Sequence, residues 1–152
     1  MRNGTLLPGV LVGLGAGGIL DGVVLFQLLH WHHVYDRSSL ATGLVTDGLF
    51  YLGAVAALVA GLVLLWRRRV PALDRSFAGA ALTAAGALNL VDGVVVHKLL
   101  RWHQVREHVH ETPYDVGYIL LAAVLLVAGL TLLRRSDVGM ARKGDLQGRR
   151  GL

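Results

Sequence analysis

Histidine and aspartate are the residues of this chain whose spacing indicates chemistry. The sequence contains seven histidines and no cysteine, so imidazole and carboxylate groups are the metal ligands that it offers. Asp21 precedes His32 by eleven residues, and Asp92 precedes His103 by the same interval. Eleven residues make about three helical turns, so each pair is predicted to share one helix face with about 16 Å between its members. At that distance one metal ion cannot bind both.

Further histidines and aspartates lie near the ends of four apolar segments of 18 to 24 residues, which are long enough to cross a membrane as helices. Because Asp47 and Asp115 lie directly before the second and fourth of these segments, each can cap a helix, bind a metal or do both. A metal site would therefore combine residues at one membrane depth from several helices. The predicted ligands are His32, His33, His97 and His103, together with Asp47 or Asp115. Such a mixed set suits Zn, Fe or Mn, and imidazoles alone also suit Cu(II).

Asp21 and Asp92 are predicted to form a buried carboxylate pair toward the membrane midplane. A carboxylate at that depth costs about 2.5–3.5 kcal/mol on insertion scales, so its occurrence in two places requires a reason. One interpretation is structural, because hydrogen-bonded polar side chains join neighbouring membrane helices. The other is functional: the two carboxylates bind a metal, support its ligands or relay protons. The sequence leaves both interpretations open.

Two other functions are compatible with the same residues. His32 and His103 could serve as the axial ligands of haem b in an electron-transfer protein, since the chain lacks the cysteines needed for covalent attachment. The intramembrane carboxylates would also suit a small proton-coupled transporter or an assembly partner of a membrane complex. No residue pattern identifies a catalytic group, so the sequence does not decide whether the protein is an enzyme.

Four apolar segments must position these residues. They cover about residues 9–29, 48–66, 77–100 and 116–133, which are 18 to 24 residues each. A helix of about 20 residues crosses a hydrocarbon core of roughly 30 Å. The sequence therefore predicts an all-α integral membrane protein, with four transmembrane helices in an antiparallel bundle. Residues 1–135 would form this domain, and residues 136–152 a polar, basic and disordered tail.

The two halves of the chain resemble one another. Residues 15–34 align without gaps on residues 86–105, and residues 59–67 align on residues 127–135. The alignment predicts a tandem two-helix repeat, with repeat one at about 9–67 and repeat two at about 77–135. Because each unit contains two helices, both copies keep one orientation, and a pseudo-twofold axis along the membrane normal is expected.

The distribution of basic residues predicts the topology. The net charge is +5, and eleven of the fifteen lysines and arginines fall on the side of the chain termini. Short basic loops remain in the cytoplasm, so both termini are predicted to be cytoplasmic and the loops at 34–46 and 101–113 to lie outside the inner membrane. The expected partner is the lipid bilayer, in a homodimer or a larger membrane complex, and no nucleic acid is expected.

The repeated elements are similar to those of a known family. The Asp-Gly to Trp-His-His stretch at 21–33, its counterpart at 92–103 and Asp-Gly-Leu-Phe at 47–50 resemble a bacterial membrane-protein family catalogued as domain of unknown function 2243. The resemblance covers roughly residues 9–135, and it implies a small four-helix inner-membrane protein without an established activity. In that family a histidine often stands where this chain has Phe26, and a second histidine where it has Gln104. The residues that fit the family pattern are His32, His33, His97, His103, Asp47 and Asp115.

Overall fold

The computed structural model describes residues 2–29, 33–35, 38–69, 74–103, 105–106 and 112–150. These residues form four α-helices and two π-helical segments, with no strand among them. In chain order the elements are α1 (Arg2–Asp21), π1 (Gly22–Leu28), α2 (Leu40–Arg67), α3 (Arg75–Val91), π2 (Asp92–Leu100) and α4 (Thr112–Arg150).

Four helical segments are long and apolar enough to cross a membrane. They are Gly4–Leu25, Leu40–Arg67, Arg75–Leu100 and Thr112–Gly139. Backbone polar groups inside lipid must be satisfied by the protein itself, and a helix does this within a single segment. The structure therefore confirms the predicted all-α class with four helices of transmembrane length.

The helices pack in the order α2–α1–α3–α4, so that α1 and α3 lie in the centre. A Cβ on Gly13 of α1 would lie 2.1 Å from the carbonyl oxygen of Ala81 on α3. A Cβ on Gly86 of α3 would lie 2.4 Å from the backbone nitrogen of Leu126 on α4. Because glycine lacks this atom, the helix backbones approach closely, as is common in membrane bundles. We call the end of the bundle that holds π1, π2 and residues 33–35, 101–103 and 105–106 the histidine end.

Helix α2 begins eight residues before the predicted apolar segment. Its N-cap is Ser39, whose hydroxyl accepts a hydrogen bond from the backbone nitrogen of Thr42. The hydroxyl of Thr46 donates to the carbonyl of Gly43 at 2.8 Å, so this polar stretch is compatible with a helix. The predicted position of Asp47 at the start of the helix is therefore wrong, since two helical turns precede it.

Helix α4 extends beyond its predicted apolar segment at the C-terminal end. The helix continues to Arg150, through residues 136–150 of the predicted disordered tail. Extending an existing helix adds one backbone hydrogen bond per residue without a new nucleation cost. The long apolar part of α4 supplies that nucleus, and the polar residues that follow prolong it.

Both central helices change from α to π geometry near the histidine end. The change occurs after Asp21 in the first half and at Asp92 in the second. A π-helix bonds each N–H to the carbonyl five residues earlier, and such segments occur frequently at functional sites. Segment π2 is followed by Arg101, which adopts a left-handed conformation with φ 53° and ψ 41°. The chain turns there, so that His103 and Val105, which follow, are buried against the bundle.

Candidate metal centre

Asp92, His97 and His103 converge at the histidine end. The Nε2 atom of His97 lies 3.0 Å from Oδ2 of Asp92, and Nε2 of His103 lies 3.6 Å from Oδ1. One ligand atom from each of the three residues lies within 4.8 Å of the other two. The centroids of the two imidazole rings lie 4.7 Å apart. His97 is 0% exposed and His103 is 4% exposed. Two buried imidazoles and one partly buried carboxylate thus form a group of metal-binding type.

The π-helical geometry explains why Asp92 and His97 are neighbours. In an α-helix, residues five apart are rotated by about 140° and point in different directions. In π2 the hydrogen bonds join residues five apart, so these two side chains come to one face. Sequence analysis based on α-helical periodicity does not associate them.

The turn at Arg101 explains the position of His103. The predicted separation of about 16 Å between Asp92 and His103 assumes a continuous helix. That prediction is wrong, because π2 ends at Leu100 and the left-handed residue reverses the chain direction. His103 then reaches back to Asp92 at 3.6 Å, and one metal ion could contact both residues.

The Nδ1 atoms of both histidines face acceptor groups. Nδ1 of His103 lies 2.9 Å from the carbonyl oxygen of Val34. Because a carbonyl can only accept, Nδ1 carries a proton and donates it, so Nε2 faces Asp92 with a lone pair in the neutral ring and with an N–H donor in the protonated ring. Nδ1 of His97 lies 3.5 Å from Oδ1 of Asp115. Histidines that bind metals are commonly oriented in this way by a carbonyl or a carboxylate.

Asp115 lies behind His97 and is completely buried. Its carboxylate accepts hydrogen bonds from the ammonium group of Lys98 and, at 3.3 Å, from the backbone nitrogen of Val105. A buried carboxylate is stable only with such partners. Asp115 therefore fixes the chain that follows π2 and presents a negative charge to the outer nitrogen of His97.

Tyr118 closes the group from α4. Its hydroxyl donates to Oδ2 of Asp92 at 3.3 Å, and its ring centre lies 5.4 Å from that of His97. A Cβ on Gly93 would lie 3.1 Å from the Tyr118 ring, so the glycine permits this approach. Neither Tyr118 nor Lys98 is a predicted site residue. Tyr118 could have been identified in the sequence by its position three residues after Asp115, because this spacing places both residues on one face of α4.

Asp47 and His33 form a second contact at the same end. Nδ1 of His33 lies 2.7 Å from Oδ2 of Asp47, whose Oδ1 accepts from the backbone nitrogen of Val34 at 2.8 Å. Asp47 thereby holds the short segment whose carbonyl orients His103. The structure separates this pair from the group of Asp92, although the sequence predicts His33 and Asp47 in one ligand set with His97.

Asp21 and Asp92 line one cavity of about 200 Å³. Val34, Asn89, His103 and Tyr118 are among its other lining residues. The predicted pair of Asp21 and Asp92 thus lies next to the candidate centre, and Asp92 is itself one of the three residues of that centre. His32, a predicted ligand and the second predicted haem ligand, lies outside the residues that the structure describes.

The fold and this site define a four-helix membrane protein with a buried cluster of histidine and aspartate. The chain belongs to the family of predicted membrane proteins called DUF2243, whose family model matches residues 8–136. A search of curated proteins found no match, and a search of solved structures also found none.

Proposed function

We propose that the protein binds a transition-metal ion through Asp92, His97 and His103. The observation that supports this most directly is the convergence within 4.8 Å of two nitrogens from buried imidazoles and one oxygen from a partly buried carboxylate. Polar groups in such surroundings need a compensating partner, and a cation between them supplies it.

The orientation of the histidines suits a metal. When the His103 ring is neutral and its proton is on Nδ1, the Nε2 lone pair faces a carboxylate, and a cation between the two groups removes this repulsion. His97 lies between the carboxylates of Asp92 and Asp115, and one neutral imidazole can donate to only one of them. A metal ion bound to Asp92 and both Nε2 atoms would resolve both conflicts.

The ligand chemistry restricts the metal. Two histidines with one carboxylate occur in non-haem Fe(II) sites, and two histidines with a glutamate occur in catalytic zinc sites. The group contains no sulfur ligand, which disfavours Cu(I) and leaves Zn, Fe, Mn or Cu(II). Three protein ligands leave further coordination positions, and a bound metal of this kind would supply Lewis acidity or an activated water. The adjacent cavity of about 200 Å³ has room for water or a small ligand.

We also infer that the two halves are a duplication and that both termini are cytoplasmic. The backbone nitrogens of Val34 and Val105, which align in the repeat, bond to the aligned aspartates Asp47 and Asp115. Both π segments begin at the repeated Asp-Gly pair. With the basic residues on the side of the termini, the histidine end would lie at the outer face of the inner membrane.

Elemental analysis of the protein purified in detergent tests the proposal. The wild type should contain one metal ion per chain, and Asp92→Asn and His97→Ala should each lose it because a ligand is missing. His33→Ala is the matched control, since His33 lies at the same end and contacts Asp47 instead. Gel filtration would show that each variant remains folded.

Two results would contradict the proposed function. A folded wild type without stoichiometric metal is one, and metal loss in His33→Ala equal to that in His97→Ala is the other. An absorption spectrum of the same sample distinguishes the haem alternative, which requires a Soret band.

A further inference from the structure

A second, mainly apolar cavity lies between α1, α3 and α4. Its volume is about 450 Å³, which is within the range of about 300–1,000 Å³ typical of pockets for small molecules. Its lining includes Val12 and Ala16 of α1, Ala81 and Ala85 of α3, and Leu121 and Leu125 of α4. All three helices are of transmembrane length, so the cavity lies at the depth of lipid chains.

One end of this cavity is polar. Asp21, Asn89 and Tyr118 line both the apolar cavity and the smaller cavity beside the candidate metal centre. Tyr118 also donates to Asp92 at 3.3 Å. A molecule in the apolar cavity would therefore have its polar group next to the proposed metal ligands.

The residues along each helix give the length of the cavity. From Asp21 to Val12 is nine residues, and from Tyr118 to Leu125 is seven. At about 1.5 Å per residue these intervals correspond to about 10–14 Å. A single medium-length alkyl chain matches this length.

The corresponding surface on the other side of the bundle lacks the polar groups. In the alignment of the two halves, Gly18 takes the place of Asn89 and Phe50 that of Tyr118. A Cβ on Gly18 would lie 3.1 Å from the ring of Phe50, so the aromatic ring already occupies that space. The two halves thus differ at the positions where a polar group would be recognised.

We propose that the apolar cavity binds a neutral, single-chain amphiphile from the bilayer, of the type of a medium-chain alcohol or aldehyde. Its alkyl chain would lie between α1, α3 and α4, and its oxygen would contact Asn89 and Tyr118. The carboxyl group of Asp21, which lines this cavity and is not a proposed metal ligand, disfavours a carboxylate or phosphate head group, because like charges repel at short distance in a medium of low dielectric constant. The amphiphile would also be the small-molecule ligand of the proposed metal centre, and this role rests on the proposed function. Its binding in the apolar cavity does not depend on the metal.

Photo-crosslinking with a diazirine derivative of decanol tests this assignment in the intact, purified protein. Labelled peptides should come from α1, α3 and α4, and unlabelled decanol should compete about tenfold better than decanoate, a difference of about 1.4 kcal/mol. Ala16→Phe places a ring in the cavity and should abolish most of the labelling. Ala56→Phe, the same change at an exposed position of α2, should leave labelling unchanged.

Asn89→Leu, which keeps the branched shape and the number of heavy atoms of the side chain, provides a second variant if Ala16→Phe does not fold. It removes a hydrogen-bonding partner of about 0.5–1.5 kcal/mol, so decanol should compete up to about tenfold less well. Labelling that Ala16→Phe and Asn89→Leu do not reduce would overturn the assignment, as would equal competition by decanoate. Metal content is measured on the same samples. If the protein contains no metal but decanol-specific labelling of the cavity is observed, only the metal centre is refuted. If the protein contains metal but the labelling is not specific for decanol and for this cavity, only the amphiphile site is refuted.

Discussion

Asp115→Asn provides the sharpest test of how the candidate centre is built. Asp115 is not one of the three proposed ligands, but its Oδ1 lies 3.5 Å from the outer nitrogen of His97. An asparagine has the same shape and can direct its amide oxygen toward Lys98, which places its amide nitrogen at the position of Oδ1. There the amide group no longer accepts from the backbone nitrogen of Val105, but it can donate to Nδ1 of His97, which would favour the tautomer with the proton on Nε2. That proton would compete directly with the metal.

The expected effect on metal binding is large and the effect on folding small. Loss of a partner that orients a metal-binding histidine typically reduces metal affinity by about 10–100-fold, and we expect this range for Asp115→Asn. The substitution also breaks the ion pair with Lys98. Because the Lys98 side chain is 43% exposed, its ammonium group can rehydrate, and the free energy of unfolding should fall by about 1 kcal/mol rather than by the 3–5 kcal/mol of a fully buried pair.

Competition titration against a metal chelator measures the affinity, and a thermal unfolding scan of the same sample measures stability. Asp47→Asn is the matched control, since Asp47 is also buried and also accepts from a histidine and a backbone nitrogen. It should leave the metal affinity unchanged, because the amide oxygen of the asparagine can still accept from the backbone nitrogen of Val34, and the segment that orients His103 keeps its position. Equal losses in the two variants, or wild-type affinity in Asp115→Asn, would refute the reasoning about His97.

Two glycine substitutions test the packing that positions the site. Gly13→Ala places a Cβ 2.1 Å from the carbonyl oxygen of Ala81, so α1 and α3 must separate, and thermal unfolding should show destabilisation of about 1–3 kcal/mol. Gly43→Ala places a Cβ 3.1 Å from the ring of His33 and should displace that ring, which the histidine's NMR chemical shifts would report. Gly53→Ala, where the new Cβ has no neighbour within 4 Å, should be neutral or stabilising in both measurements. A stable Gly13→Ala, an unshifted His33 signal or an unstable control would contradict this account of packing.

The fold was largely predictable because its determinants are continuous in sequence. Four apolar segments of membrane length dictate four helices, and the structure contains them. The start of α2 was less predictable, because a serine cap and local threonine hydrogen bonds extend the helix into a polar region. Amino-acid composition alone does not reveal that the serine and threonine hydroxyls form hydrogen bonds with backbone groups of this helix.

The candidate site was predictable in its residue types but not in its grouping. His97, His103 and Asp115 stand out as polar residues at the ends of apolar segments. Two backbone features then decide which of them meet: the π geometry of π2 and the left-handed conformation of Arg101. Neither has a sequence signal, since no glycine marks the turn and π-helices have no distinct periodicity of apolar residues. Helical periodicity therefore assigned Asp92 and His103 to different depths.

The hydrogen bond from His103 to the carbonyl of Val34 joins the second half of the chain to the first. The imidazole comes from one half and the group that sets its protonation comes from the other, with Asp47 of the first half holding that backbone in place. Neither half alone contains a fully oriented site. Retention of a metal would consequently report that the two helix pairs have packed together in the bilayer, because before they pack the His103 ring lacks the carbonyl group that orients it.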